Sequence, residues 1–185
     1  AANYDVTHVT GPLTVKKAAA LTVTADDKGK VYGAADPVLT YTSSGELFYG
    51  NDYSVITGVS LNTVIDGAAT AGTHPITVSG GTAANYNVTH VPGTLTVSKA
   101  AALTVTADDK GKVYGANEPA LTSTPTGILF YGDAYSVISG VSLSTATGAA
   151  ATAGTHAITV SGGTAANYDV TRVNGLLTVE KAAAL

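Results

Sequence analysis

Apolar and polar residues alternate along this chain in short runs rather than recurring at a helical spacing. Leu21-Thr22-Val23-Thr24-Ala25 is the clearest run, and residues 38–42, 53–61, 76–78, 85–89 and 95–97 keep the same period of two. Successive side chains of an extended strand point to opposite faces. Each run therefore predicts a half-buried strand with Leu, Val and Ile inward and Thr or Ser outward. The segments between them carry turn chemistry: residues 26–30, the Pro-marked 34–37, Gly50-Asn51-Asp52, and the Gly80-Gly81 pair, read here as a turn. Residues 67–73 hold too few large apolar groups for a core strand and read as a loop. With no sustained helical period, the expected class is mostly β.

The whole pattern recurs. Lys-Ala-Ala-Ala-Leu begins at Lys17, Lys99 and Lys181, a period of 82 residues (99 minus 17, and 181 minus 99). Self-similarity at that length marks a tandem array. The expected division is a C-terminal fragment of a preceding repeat at 1–19, then whole repeats at 20–101 and 102–185, each long enough for one modest core. The sequence is expected to be cut from a longer array, and the absence of Met agrees with that. The leading fragment, with Tyr4, Val6, Val9, then Thr10-Gly11-Pro12 and Leu13-Thr14-Val15, reads as a two-stranded hairpin. Two strands alone are marginal in water, so this piece should pack on the next repeat or borrow a partner. Intimate packing would frame the structural unit differently from the sequence repeat. At each junction one strand leaves and another enters across Lys99-Ala100-Ala101-Ala102-Leu103, without the Gly, Pro or Ser runs of a flexible linker, which predicts a stiff coupling.

Differences between the repeats fall where polar and apolar residues exchange: Tyr41 becomes Ser123, Glu46 becomes Ile128, Asp52 becomes Ala134, and Val64-Ile65-Asp66 becomes Ala146-Thr147-Gly148. Such exchanges are easiest on exposed positions. The unchanged Tyr32/Tyr114, Phe48/Phe130, Tyr49/Tyr131, Tyr53/Tyr135 and Tyr86/Tyr168 are then candidates for the core beside the strand aliphatics.

A net charge of −4 with only 12% charged residues supplies neither the basic stripe nor the aromatic platform of a nucleic-acid partner. No cysteine is present, which removes disulfides, thiolate-bound metal and thiol chemistry. No run reaches the length of a membrane-spanning helix, and no signal segment opens the sequence.

The string LTVTADDKGKVYGAADP at 21–37, repeated as LTVTADDKGKVYGANEP at 103–119, resembles the YGX type of MBG domain. The likeness continues through Tyr49-Gly50, Ala71-Gly72-Thr73, Asn85-Tyr86 and Gly93-Thr94-Leu95-Thr96-Val97, and covers both whole repeats and the leading fragment. It implies β-grasp-like, mostly-β modules arranged end to end, of the kind found in long arrays of bacterial surface adhesins. His74 and His156 depart from it, standing where the family usually looks aromatic. The resemblance brings no catalytic residue.

Candidate chemistry is sparse. Asp26-Asp27 and Asp108-Asp109 follow the first strand of each repeat, with Asp36 and Glu118 at matching turns. Calcium prefers several such oxygens on one loop, which makes the four aspartates the calcium candidates. The loop also carries two lysines and lacks EF-hand spacing, so a solvated turn is the simpler reading. His74 and His156 form no His-x-His or His-x3-His pattern and read as strand-flanking residues. An isopeptide crosslink would suit a load-bearing protein, with Lys30 and Asn85 as nominal partners. No nucleophile elbow or phosphate loop occurs, and an enzyme is not expected.

Two functions remain. In the first, the repeats are spacer modules of an extracellular stalk that projects a distal binding region, with neighbouring repeats as their partners. In the second, each repeat binds a glycan or host protein through Tyr41, Phe48 and Tyr49, gaining avidity by repetition. The change of Tyr41 to Ser123 weighs against identical sites in both repeats.

Overall fold

The computed structural model describes residues 3–183. Two compact units emerge, and their limits cross the sequence period. The first comprises Ala1–Asp26, Leu39–Asn62 and Thr77–Gly93, the second Asp27–Val38, Thr63–Ile76 and Thr94–Leu185. Three stretches of the first repeat, 27–38, 63–76 and 94–101, thus group with the second repeat.

In the first unit, β1 (Ala18–Ala25) is the middle strand of a three-stranded sheet, antiparallel to β3 (Tyr41–Ser44) and parallel to β6 (Tyr86–Val91). Alternation along β1 works as the sequence requires: Leu21, Val23 and Ala25 are buried while Thr22 and Thr24 are half-buried on the other face. Thr22 faces Thr89 across the parallel pair, their hydroxyls 3.0 Å apart. β4 (Thr57–Asn62) pairs antiparallel with the C-terminal part of β5 (Gly72–Thr82). Leu21, Val23, Ile56, Ala83 and Tyr86 form the core, with Leu47, Val59, Val78 and Val88 packed against it.

The second unit holds β2 (Lys28–Val31) parallel to β7 (Gly93–Ser98), and after the single residue Lys99 the chain re-enters sheet as β8 (Ala100–Ala107). β8 repeats the role of β1, between β10 (Ser123–Thr126) and β13 (Tyr168–Val173). β11 (Ser139–Ser144), β12 (Gly154–Thr164), β14 (Gly175–Glu180) and β9 (Lys110–Val113) complete a four-stranded sheet in that order. Its core includes Val105, Ala151, Ile158, Val160, Leu177 and Val179. The described residues are mostly strand with short 3-10 turns and no α-helix, so the mostly-β, tandem-module expectation holds, and the architecture is consistent with a β-grasp-like module.

Several expectations are corrected. Residues 4–17 contain no strand, and Tyr4, Val6, Val9, Leu13 and Val15 are exposed. Their counterparts in β6 and β7 pair in parallel with β1 and β2, partners 67 positions earlier in the chain (89 minus 22). The strand expected at 38–42 forms at Tyr41–Ser44, where the Ala25↔Tyr41 register starts its ladder with β1. Residues 53–55 are a 3-10 turn whose N-cap Asp52 accepts from the Ser54 amide, 2.9 Å.

Gly80-Gly81 is not a turn but strand interior, with the β4–β5 register unbroken across it. Both residues have left-handed φ (68° and 73°), and a Cβ on Gly80 would overlap the Gly58 carbonyl oxygen. The aromatic core is also smaller than expected. Tyr32, Tyr86 and Tyr168 are buried and Phe130 is half-buried, whereas Tyr114, Phe48, Tyr49, Tyr131, Tyr53 and Tyr135 are exposed. Positions that exchange polar for apolar residues, such as Glu46/Ile128 and Asp52/Ala134, are exposed as anticipated.

Candidate functional site: the inter-repeat joint

The most developed side-chain constellation lies within the second unit, where the first repeat meets the second. Val31 ends β2 and the chain turns at once, leaving Tyr32 directed inward and 3% exposed. Its hydroxyl donates to Asp133 Oδ2 at 3.1 Å, and Tyr168 donates to the same oxygen at 2.7 Å. One carboxylate oxygen thus gathers a tyrosine from each repeat, a charge-assisted arrangement. The Tyr32 ring sits edge-on to Tyr131 (centroids 5.3 Å) and to Tyr168 (5.5 Å), while Phe130 lies parallel to Tyr168 at 6.5 Å.

Backbone geometry makes room for this cluster. Gly33 has φ +89°, and a Cβ there would overlap the Phe130 ring. On the receiving side, Phe130-Tyr131-Gly132-Asp133 is a tight turn closed by Asp133 N–H to Phe130 C=O, 2.9 Å, with both central residues at positive φ (52° and 79°). That is the backbone of a type I′ turn, which normally takes Asn-Gly; a tyrosine at its first central position is strained. The Phe130 amide donates to the Tyr168 hydroxyl at 2.9 Å, fixing the turn over the buried ring. Further contacts cross the joint: Ala71 N–H donates to Asn167 Oδ1 (2.9 Å), and Lys30 Nζ lies 5.9 Å from the Tyr131 ring centroid. Ala100, the first residue of β8, is buried and its amide donates to the Asn167 carbonyl at 2.9 Å.

Charges around the joint are paired. Lys30 bonds Asp36 at 2.6 Å, and Asp36 also accepts the Asp66 amide at 3.1 Å. The lysine hydrogen bond, with that amide, holds the Asp36 carboxyl below its usual range. Burial raises both tyrosine hydroxyls, with the Asp133 carboxylate acting in the same direction, and Tyr168 is pushed up to about 12. Neither phenol ionises at neutral pH, so both remain donors.

The other candidates are placed as follows. Asp26 accepts from the Thr40 hydroxyl, Asp108 from Thr124 at 2.7 Å, Asp27 from the Thr94 amide and Asp109 from the Leu176 amide, each 2.7 Å. All four act as turn-fastening acceptors. Among the described residues no group of three or more His, Asp or Glu is positioned for a metal. His74 and His156 each bond a backbone carbonyl four residues earlier, at Thr70 and Thr152, both 2.7 Å. Lys30 has Asp36, not Asn85, as its close partner. Of the aromatic binding candidates, Phe48 and Tyr49 flank a cleft of about 540 Å³ with Asn51 and Tyr86, whereas Tyr41 lines a separate shallow groove with Leu39 and Leu61. No helix among the described residues is long and apolar enough to cross a membrane.

Asp133 and Asn167 went unnoticed in the sequence. The available signal was positional: Phe-Tyr-Gly followed by Asn51 in one repeat and Asp133 in the other.

This geometry defines a class: all-β tandem modules in which a tyrosine of one repeat completes the aromatic core of the next. The chain belongs to the MBG domain (YGX type) family, whose model matches residues 21–96 and 103–178, one copy per repeat. No curated relative matches the chain.

Proposed function

We propose that these repeats are spacer modules in the stalk of a bacterial adhesin, outside the cell, projecting a binding region carried elsewhere. The two matched copies make a tandem-repeat role the natural frame, and a division at 20–101 and 102–185 describes the genetic unit. The observation that carries the reading is the joint. Lys99 alone separates β7 from β8, and Tyr32 spans the repeats to reach Asp133. A spacer needs coupling between modules that resists bending, and a buried hydrogen-bonded cluster supports it better than a Gly/Ser linker would. The proposal assigns no catalytic step to either repeat.

Small-angle scattering on the 185-residue chain tests this. With strands rising about 3.3 Å per residue, each repeat should add roughly 30–50 Å to the maximum dimension. A folded-back pair, or repeats reorienting freely, would overturn it.

A second reading draws support from the exposed Tyr49 beside the Phe48 cleft: a glycan or host-protein site on the first repeat. Binding on a glycan array, lost in Phe48→Ala with the fold intact, would favour it over the spacer.

A further inference from the structure

The Lys-Ala-Ala-Ala-Leu motif opens a second arrangement, this one inside each repeat. In the second repeat the entering and leaving stretches run side by side in the same direction. β8 pairs in parallel with β13 from Ala100↔Tyr168 to Thr106↔Val173, and β9 with β14 from Lys110↔Leu177 to Val113↔Glu180. The offset is 67 residues on both sides of the break between them (171 minus 104, and 177 minus 110), so one register holds from Leu103 to Val113. Asp109 bridges the break by accepting the Leu176 amide at 2.7 Å.

We propose that each repeat is a clamp against tension, with the motif lysine as the lock at its entry. The spacer reading supplies the pull along the backbone, and the clamp deepens that reading. Tension draws the entering stretch back from Lys99 and the leaving stretch forward from Glu180. Parallel neighbours pulled from opposite ends slide past each other, which strains all the bonds that cross between them together. An antiparallel ladder pulled at one end instead parts pair by pair, each pair yielding about 7 Å of extension from two residues.

The ends of the clamp are fastened separately from its ladder. Lys99 Nζ donates to the Ala165 carbonyl at 2.8 Å and the Tyr168 carbonyl at 3.3 Å, both charge-assisted bonds. Ala100 follows, buried and bonded through its amide to the Asn167 carbonyl, and Leu103 is wholly buried. At the far end the Tyr114 amide donates to the Glu180 carbonyl at 2.8 Å. The first repeat repeats the lock: Lys17 Nζ donates to the Ala83 carbonyl at 2.9 Å, and the Ala18 amide to the Asn85 carbonyl at 2.8 Å. Its β1–β6 and β2–β7 pairs keep the same offset (89 minus 22, and 95 minus 28). A lysine at the head of the motif is thus placed where an incoming pull first meets folded structure.

Single-molecule force spectroscopy on the full chain tests the proposal, and the absence of cysteine lets handles be attached at chosen sites. Handles at the two termini load the clamp in shear. Handles on Ser139→Cys and Thr164→Cys, exposed residues that face each other at the open end of the antiparallel β11–β12 ladder, peel that ladder instead. At one loading rate the terminal geometry should need at least about five times the peeling force, because its ladder must yield within a slip of about one residue, 3.3 Å. Lys99→Ala should lower the force with terminal handles and leave the peeling force unchanged, a directional effect that general loss of stability does not produce. Asp109→Ala, at the break between the two pairs, should act in the same way. Circular dichroism establishes that each variant is folded. Equal forces in the two geometries, or substitutions that lower both forces alike or neither, would overturn the clamp. A folded-back pair of repeats in solution scattering would instead remove the stalk and leave the clamp standing.

Discussion

Tyr32 and Tyr114 occupy the same place in the two repeats, inside the same Val-Tyr-Gly-Ala string, yet one is 3% and the other 46% exposed. Truncating each to alanine therefore isolates what the joint contributes. A tyrosine offers 150–250 Å² for burial, so the difference in exposure is roughly 80 Å². At about 25 cal/mol per Å² that is ~2 kcal/mol, and the Tyr32 hydrogen bond to the Asp133 carboxylate adds about 1.5 kcal/mol. Tyr32→Ala should thus lower unfolding free energy by about 3.5 kcal/mol more than Tyr114→Ala. Guanidinium denaturation followed by near-UV circular dichroism reads the difference. Tyr32→Phe should lose only the hydrogen-bond share, and it should show coupling with Asp133→Asn in a double-mutant cycle. Equal losses for the two alanine variants, within about 0.5 kcal/mol, would mean that Tyr32 does not tie the repeats together.

High pH should loosen the same cluster. Tyr32 and Tyr168 ionise in the unfolded chain near pH 10, but folding raises both, Tyr168 to about 12. Since the folded state holds these protons more tightly, the stability they contribute is intact below pH 10 and disappears as pH climbs toward 12. Tyrosinate absorbance, compared between the parent chain and Tyr32→Phe and Tyr168→Phe, should show each substitution removing a late-ionising phenol, and removal of an early one with the near-UV signal intact would count against it. At the acid end, Asp36 behaves oppositely: Lys30 lowers its pKa, so its contribution is present above about pH 4 and fades as pH falls further. Asp36→Asn should flatten that acid limb of a stability–pH curve. Gly33→Ala and Gly115→Ala share the left-handed backbone penalty of about 1–2 kcal/mol, but only the former collides with a ring, Phe130. The Gly33 variant should melt measurably lower than the Gly115 variant; matched melting temperatures would contradict the close packing. Gly80→Ala, aimed at a backbone oxygen, should cost more than either, or fail to fold, when compared by the same melts.

Strands were legible because a period of two maps directly onto the faces of a sheet: Leu21 and Val23 are inside for the reason that Thr22 and Thr24 separate them. The fate of the aromatics was not legible, since Tyr32 and Tyr114 read identically and differ only in what packs on them, Tyr32 meeting Tyr131, Asp133 and Tyr168. The same holds for Tyr49 and Tyr131, whose surroundings are set by segments far away in the chain. Residues 4–17 alternate in the same way and form no strand, because alternation states which face is apolar and does not itself supply a pairing partner. Asp133 escaped notice because a lone Asp after Tyr-Gly looks like ordinary turn chemistry until a second hydroxyl is seen to converge on it.

A seam built half from one period and half from the next has a genetic consequence. Unequal crossing-over between the coding stretches of such similar repeats would add or remove one 82-residue block at a time, wherever the exchange fell. Because both blocks encode a donor tyrosine and an aromatic receiving turn, such an exchange would bring a tyrosine and a turn together again, so the number of copies could change without a new boundary having to evolve.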